Sequence, residues 1–477
     1  MRRKYLISII SILALIFSCS TNKHKMGPLS VQPGNPRYFA DGNGNAVYLT
    51  GSHTWANCQD MMKEGNLKPF NYDEYLRAIK NYNHNFFRLW AWENTGWLPG
   101  SKDKIIIEPL PYKRTGPGEA LDGGLKFDVT MFNEKYFTRL KKRVSAAQEL
   151  GIYTAVMLFE GWSIEIKNRT VGNPYDGHPF HRDNNINGID GDTDNDGMGK
   201  EIHTLQISEI TRLQESYIKK VVDELNDFDN IIWEISNESH RDSDKWHYHV
   251  ISFIKKYEAE HKLKQHPVLM TVEWEDGDNS KNNADLFNSP ADAVSPNPGD
   301  NDYRNNPSDA DGRKVVIVDT DHIAGIGGNY TWVWKNFLRG YNFLFMDPWE
   351  PWLGRDDSDK AENINRRDYP QWEAIRKNMG YTLAYAEKIN LDKIKPRNDL
   401  SSTGFCLAVP GSEYLVYQPE KNSPFTIKLE PDTYSYEWFD PVSGNIKRTG
   451  QIKPDGADIT FKVNFPEGSV IYLKSAD

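Results

Sequence analysis

From Val47 onward the chain repeats one rhythm: a short apolar run ending in polar or aromatic residues, a loop, then a segment whose apolar positions recur at helical spacing. Eight such runs predict strands over residues 47–51, 86–90, 153–159, 231–236, 268–273, 293–296, 315–319 and 343–347. Helical periodicity lies between many of them, for example over 137–150, 211–225, 248–261 and 370–389. Strand and helix alternating over about 300 residues predict a closed parallel (β/α)8 barrel or an open doubly wound sheet. The barrel is the expectation, because no Gly-rich dinucleotide fingerprint follows the first strand. After Ile389 the period changes to short alternating runs at 404–409, 413–417, 425–429, 434–439, 459–463 and 470–473. These predict a small antiparallel β-sandwich, reached through a linker at residues 396–399. The expected division is thus a catalytic-sized barrel over 31–395 and a sandwich over 400–477.

A length of 477 residues suits two domains, and a formal net charge of -10 makes nucleic acid an unfavourable partner. The start reads as a secretory leader: Arg2, Arg3 and Lys4, an apolar stretch over 5–17, then Ser18-Cys19. That stretch is short for a membrane span. Residues 15–19 resemble a bacterial lipoprotein signal, which implies removal of 1–18, lipidation of Cys19 and a flexible tether over 19–30. The implied location is the cell envelope, held to a membrane by the lipid, and a monomer is expected. Cys58 and Cys406 fall in different predicted domains and are expected as free thiols. Fourteen Trp exceed what packing usually demands, and an indole face suits the C–H face of a sugar ring.

Candidate chemistry gathers at the strand ends. The fourth strand runs Asn230-Ile-Ile-Trp-Glu-Ile-Ser-Asn237-Glu238, so an apolar strand delivers a carboxylate and an amide to the face where barrel active sites form. Asn237-Glu238 resembles the Asn-Glu-Pro that ends the fourth strand of clan A glycoside hydrolases, such as the family 5 cellulase-like enzymes. Ser239 stands where that pattern has Pro. The resemblance implies that Glu238 is an acid/base and that Arg88, ending the second strand, contacts the partner carboxylate. Glycosidic cleavage needs a second acid across the bond. Asp319 and Asp321 on the seventh strand are the candidates, expected on one strand face by the period of two, with Asp321 preferred and Asp319 as scaffold. The resemblance implies Glu here, so Asp is a departure. Glu273, on the fifth strand, is a further candidate.

Residues suited to gripping a sugar recur at successive strand ends: His53 and Trp55, Trp90, Glu160 and Trp162, Trp274, His322, Asp347 and Trp349. In the long third loop, His178 and His181 are expected to line a subsite rather than hold a metal. Asp192, Asp194 and Asp196 resemble the start of an EF-hand loop, a candidate structural calcium site, although His203 occupies the twelfth position where Glu is required. The barrel as a whole resembles cellulase-like barrels of polysaccharide-degrading bacteria, and the C-terminal part, with Trp438-Phe-Asp-Pro-Val-Ser-Gly444, resembles the small sandwich known as the putative collagen-binding domain. The expected activity is hydrolysis of a plant or algal poly- or oligosaccharide without a cofactor. The rival readings are a non-catalytic glycan-binding lipoprotein and a polysaccharide lyase, for which His322 would offer a base.

Overall fold

The computed structural model describes residues 26–96, 104–167, 172–274, 283–299, 301–350, 367–456, 458–462, 465 and 467–476. Eight parallel strands make one barrel sheet: β1 (Thr50–His53), β2 (Phe86–Leu89), β3 (Tyr153–Glu160), β4 (Ile231–Asn237), β5 (Val268–Thr271), β6 (Ala293–Ser295), β7 (Val315–Asp319) and β8 (Asn342–Met346). Pairing follows chain order from β2 to β8, and β8 then pairs with β1. At the seam between β1 and β2, the Asn85 amide donates to the Thr50 carbonyl at 3.1 Å, and the Thr50 amide donates to Asn85 Oδ1 at 2.9 Å. Gly51 makes this approach possible, since a Cβ there would stand 1.8 Å from the Phe86 carbonyl oxygen. Gly51→Ala is therefore expected to cost about 2–4 kcal/mol, read as a lower denaturant midpoint at unchanged slope.

The helices that cover the barrel include α1 (Tyr72–Asn81), α2 (Glu134–Glu149), α3 (Ser208–Leu225), α4 (Asp244–His261), α5 (Asn283–Asn288), α6 (Thr320–Ala324), α7 (Tyr330–Leu338) and α8 (Pro370–Lys388). With helices outside and side chains inside, the strands are buried on both faces, which is why they read as near-continuous apolar runs. Outward residues such as Phe87, Val156, Trp233, Val318 and Phe345 pack against the helices. Inward residues at the N-terminal end, including Phe86, Tyr153, Ile232, Leu269 and Leu344, form a separate apolar floor.

That floor is closed by a three-stranded meander of Ser30–Val31, Phe39–Ala40 and Ala46–Val47, which contributes Leu29, Phe39, Val47 and Leu49. Two expectations change as a result. Val47 belongs to the meander and β1 begins at Thr50. The end of the expected 19–30 tether is not loose, because Leu29 is buried under the barrel.

Beyond the barrel, six strands form an antiparallel sheet: Lys395–Pro396, β9 (Cys406–Val409), β10 (Glu413–Gln418), β12 (Tyr434–Asp440), β13 (Asn445–Ile452) and β15 (Ser469–Ser475). A second sheet of β11 (Phe425–Lys428) and β14 (Asp458–Phe461) packs on one face. Alternation along β10 sends Tyr414 and Val416 into the core between the sheets, while Leu415 and Tyr417 join Trp334 and Phe337 of α7 and Leu383 and Tyr385 of α8. The expected linker is therefore part of the structure, with Lys395–Pro396 paired to β9. Cys58 and Cys406 are buried free thiols.

Candidate active site

Above its apolar floor the barrel lumen turns polar. Arg88, 1% exposed, donates from Nε to both Glu234 carboxylate oxygens at 3.0 Å, from Nη1 to Asp319 Oδ2 at 2.9 Å and from Nη2 to Asn237 Oδ1 at 2.8 Å. Its guanidinium also lies 4.7 Å from the Trp90 ring centroid. Glu234 had no assigned role at the sequence level. It is the nearest neutraliser of Arg88 in a lumen where an unpaired charge would cost several kcal/mol.

β4 ends in a strained turn. Glu238 has φ +44°, a left-handed value that costs a non-glycine residue about 1 kcal/mol or more. Gly161 leaves room for it, since a Cβ there would lie 2.2 Å from the Glu238 carbonyl oxygen. The turn aims the carboxylate at Trp162, whose Nε1–H donates to Oε2 at 2.6 Å. Burial raises the Glu238 pKa, and Asp319 adds to the rise; Trp162, Lys167 and Arg88 oppose it.

β7 stops at Asp319, which caps α6 by accepting the Asp321 amide at 3.0 Å. Asp319 and Asp321 therefore do not share a strand face, because Asp321 already lies in the first turn of a short helix. Asp319 is locked by Arg88 and by His53 Nε2 at 3.0 Å. Burial pushes its carboxyl up, but His53 and Arg88 outweigh this and hold it below the usual carboxylate range. Asp321 is different. Its Oδ2 has no hydrogen-bond partner among the described residues and stands 3.7 Å from Arg88 Nη1. Burial, then repulsion from Glu238 and Asp319, raises its pKa strongly.

One oxygen of Glu238, one of Asp321 and a ring nitrogen of His322 lie within 4.8 Å of one another. His322 is held by Ser295 Oγ at 2.8 Å and Asn237 Oδ1 at 3.0 Å, and burial lowers its pKa to about 3. It is a neutral spacer that fixes Asn237. The Asn237 amide in turn donates to Glu160 Oε1 at 3.2 Å. Glu160 is fully buried with Oε2 unpartnered among the described residues, and burial raises its pKa well above normal.

A cavity of about 200 Å³ opens beside the pair, lined by Glu238, Glu273, Trp274, Asn297, Asp321 and His322 among others. Trp274 and Trp162 meet at 5.2 Å between centroids, and a smaller recess holds Trp55 and Asp347. The remaining sugar-gripping candidates are placed otherwise. His53 is buried against Asp319 and stacks on Trp90 at 5.3 Å, so both support the wall. Asp347 is committed to Arg376, whose Nε donates at 2.7 Å, and Trp349 lies under Arg367 at 3.9 Å. His178 turns to Glu93 at 3.4 Å, and His181 packs on Tyr175 at 4.7 Å rather than on the carboxylates.

Behind β4 runs a buried hydrogen-bonded chain that sequence reasoning missed. Glu273 meets His247 Nδ1 at 3.1 Å, His247 Nε2 meets Ser236 at 2.8 Å, Ser239 bonds Ser236 at 2.8 Å and His203 at 3.0 Å, and His203 reaches Glu93 at 3.0 Å. Ser239 thus has its own work where the family resemblance has Pro. His203, counted as an EF-hand position, belongs to this chain. In the acidic loop it is Glu201 that comes within 4.8 Å of Asp192 and Asp194, whereas Asp196 pairs with Lys200 at 3.3 Å.

Burial raises Glu273 from 4.5 to about 8 and neighbouring Asp244 from 3.8 to about 7. Between those values the native protein keeps protons that the unfolded chain has released, so stability falls as pH rises through this window. Glu273→Gln is expected to remove part of that slope, gaining about 2 kcal/mol over wild type at pH 8 relative to pH 5 in denaturant melts.

Residues 107–277 match a family model described as a domain of unknown function (DUF6298). Among curated proteins none matches the chain. Solved structures do: a glycoside hydrolase family 5 protein from Bacteroides vulgatus ATCC 8482 is similar with TM-score 0.61 over 95% of each chain at 13% identity. A further glycoside hydrolase is similar with TM-score 0.59 over 94% of this chain and 97% of the other, also at 13% identity. The fold is that of family 5-like glycoside hydrolases, a (β/α)8 barrel followed by antiparallel sheets.

Proposed function

We propose that the chain is a glycoside hydrolase acting on a plant or algal poly- or oligosaccharide, with Glu238 as acid/base and Asp321 as the second carboxylate. The observation that carries this reading is a pair of carboxyl groups, Glu238 buried and Asp321 partly buried, with oxygens within 4.8 Å of each other at the mouth of the barrel. An oxygen of one acid this near an oxygen of the other makes them a working pair across one space, and the reading takes the retaining reaction, with Asp321 as nucleophile, as the one that the product anomer tests.

Two carboxyls this close share protons, and a single negative charge on the pair is favoured near neutrality. The protein alone favours the proton on Asp321, because the Trp162 N–H supports the Glu238 anion while Asp321 Oδ2 lacks a donor. Positive charge growing on the anomeric carbon favours the Asp321 anion instead and moves the proton to Glu238, beside the leaving oxygen. Arg88 helps hold that anion until it attacks the anomeric carbon, the glycosidic C–O bond breaking as Glu238 gives its proton to the departing oxygen; water, losing a proton to Glu238, then displaces Asp321 from the glycosyl ester. His322, engaged at both ring nitrogens, is unsuited to be the base of a lyase. A glycan-binding role would leave the facing acids unexplained.

Export and anchoring through Cys19 belong to the same proposal, as does a monomeric state; the leader lies outside the described residues. Among those residues, no helix is long and apolar enough to cross a membrane. The test is incubation with a panel of neutral and acidic plant and algal glycans, followed by reducing-end release and product anomer by proton NMR. Release with retained configuration supports the reading. Release of unsaturated products, or binding without cleavage, overturns it.

A further inference from the structure

Lys167 stands outside every sequence motif, yet it is 2% exposed and sits directly behind Glu238. Its Nζ donates to the Glu238 carbonyl oxygen at 2.8 Å and lies 5.4 Å from the Trp274 centroid and 5.9 Å from that of Trp162. Its one ion pair among the described residues is with Glu165 at 3.3 Å. Burying an ammonium costs free energy unless it is paired and hydrogen-bonded. Left-handed backbone adds to that cost at three non-glycine residues, with φ +58° at Glu165, +33° at Lys167 and +44° at Glu238. Such strain persists where surrounding structure over-determines it, typically at functional sites.

We propose that Lys167 is a positioning residue for Glu238, its ammonium gripping the Glu238 carbonyl and so fixing the left-handed turn that aims the carboxyl across the mouth. This rests on the glycosidase reading of the pair. The geometry is a clamp: Trp162 takes the side chain from one side, Lys167 takes the carbonyl from behind, and the Lys167 ammonium lies within cation–π reach of both indole rings. The same charge acts on the proton. Glu160 of β3, Glu238 at the end of β4 and Glu273 beyond β5 all feel Lys167 as a cation that favours their ionised forms. Arg88 on β2 acts on Glu238 in the same direction, Asp319 opposes both, and Asp321 and His240 face the same volume.

The test compares Lys167→Met, Lys167→Gln and Lys167→Arg on a glycan that the wild type cleaves. Lys167→Met should lower kcat about 10- to 100-fold with KM changed less than about threefold, because the carboxyl is misplaced. Its alkaline limb should move up by about one pH unit, since losing a nearby cation favours the protonated acid. Lys167→Arg, which keeps the charge, should restore the limb. If Lys167→Met does not fold, Lys167→Gln carries the same expectation.

A second readout needs no turnover: carboxyl-carbon NMR of glutamate-labelled protein, with the Glu238 signal assigned by its loss in Glu238→Gln. That signal should titrate at higher pH in the Met or Gln variant and near the wild-type value in Arg. Unchanged kcat and limb, or an unmoved Glu238 titration, overturns the role of Lys167. A wild type that cleaves no glycan while Glu238 still titrates higher in the variants overturns the hydrolase reading alone.

Discussion

Glu238→Gln and Asp321→Asn are each expected to lower kcat on the true substrate by about 10³-fold or more if the proposed hydrolase mechanism holds, since each removes one of the two carboxyls to which that mechanism assigns the chemistry. Stability should move the other way. Both acids, Glu238 buried and Asp321 partly so, have raised pKa values, so a neutral amide relieves a cost that the native state carries near neutral pH. Inactive variants that melt at or above the wild-type temperature would exclude misfolding as the cause. In wild type the pH profile should be bell-shaped, its two limbs belonging to the pair rather than to either residue. Asp321→Asn should in addition leave Glu238 as the one acid of the pair, so that a single titration replaces the two coupled steps. Near-native turnover in either variant would remove the pair from the mechanism.

The second large effect is expected at Arg88. Arg88→Met leaves Glu234 and Asp319 buried in the lumen without their counter-charge, and breaking buried pairs by removing one partner costs about 3–5 kcal/mol. The expected result is a clear drop in melting temperature together with loss of activity, since Asn237 also loses one of its anchors and is left to His322 and Glu160. Adding Glu234→Gln should recover part of the stability, because the stranded charge is then neutral. A double variant no more stable than Arg88→Met alone would show that the two side chains do not act as a unit.

The eight barrel strands were legible because burial on two sides writes each as a compact apolar run, and turns punctuate them. Their edges were less so. Val47 reads as continuous with β1, although it serves the meander beneath the barrel. The polar strand Asn445–Ile452 left no hydrophobic trace because it is mostly exposed, and its pairing with β12 supplies the order that its own pattern lacks. Glu238 and Asp321 were legible from their place at strand ends. Their wiring was not, because alternation fails just where the strands reach the mouth. Ser236 faces His247 of α4 and Asn237 faces Arg88 in the lumen, so the strict two-residue rule that places Glu234 inward misassigns the last residues of the strand. Glu93, His203 and Lys167 lie in loops without periodicity, and only the closed barrel brings them together.

The sheet that succeeds the barrel has apolar residues on both of its faces, one for its own interior and one for α7 and α8. Where Leu415, Tyr417 and Phe439 press on α7 and α8 the sheet has no polar side to present to water, so the second unit is docked on the barrel there rather than hinged to it. The molecule should melt in a single calorimetric step, and a barrel ended at residue 395 should expose Trp334 and Tyr385 and clump rather than remain in solution.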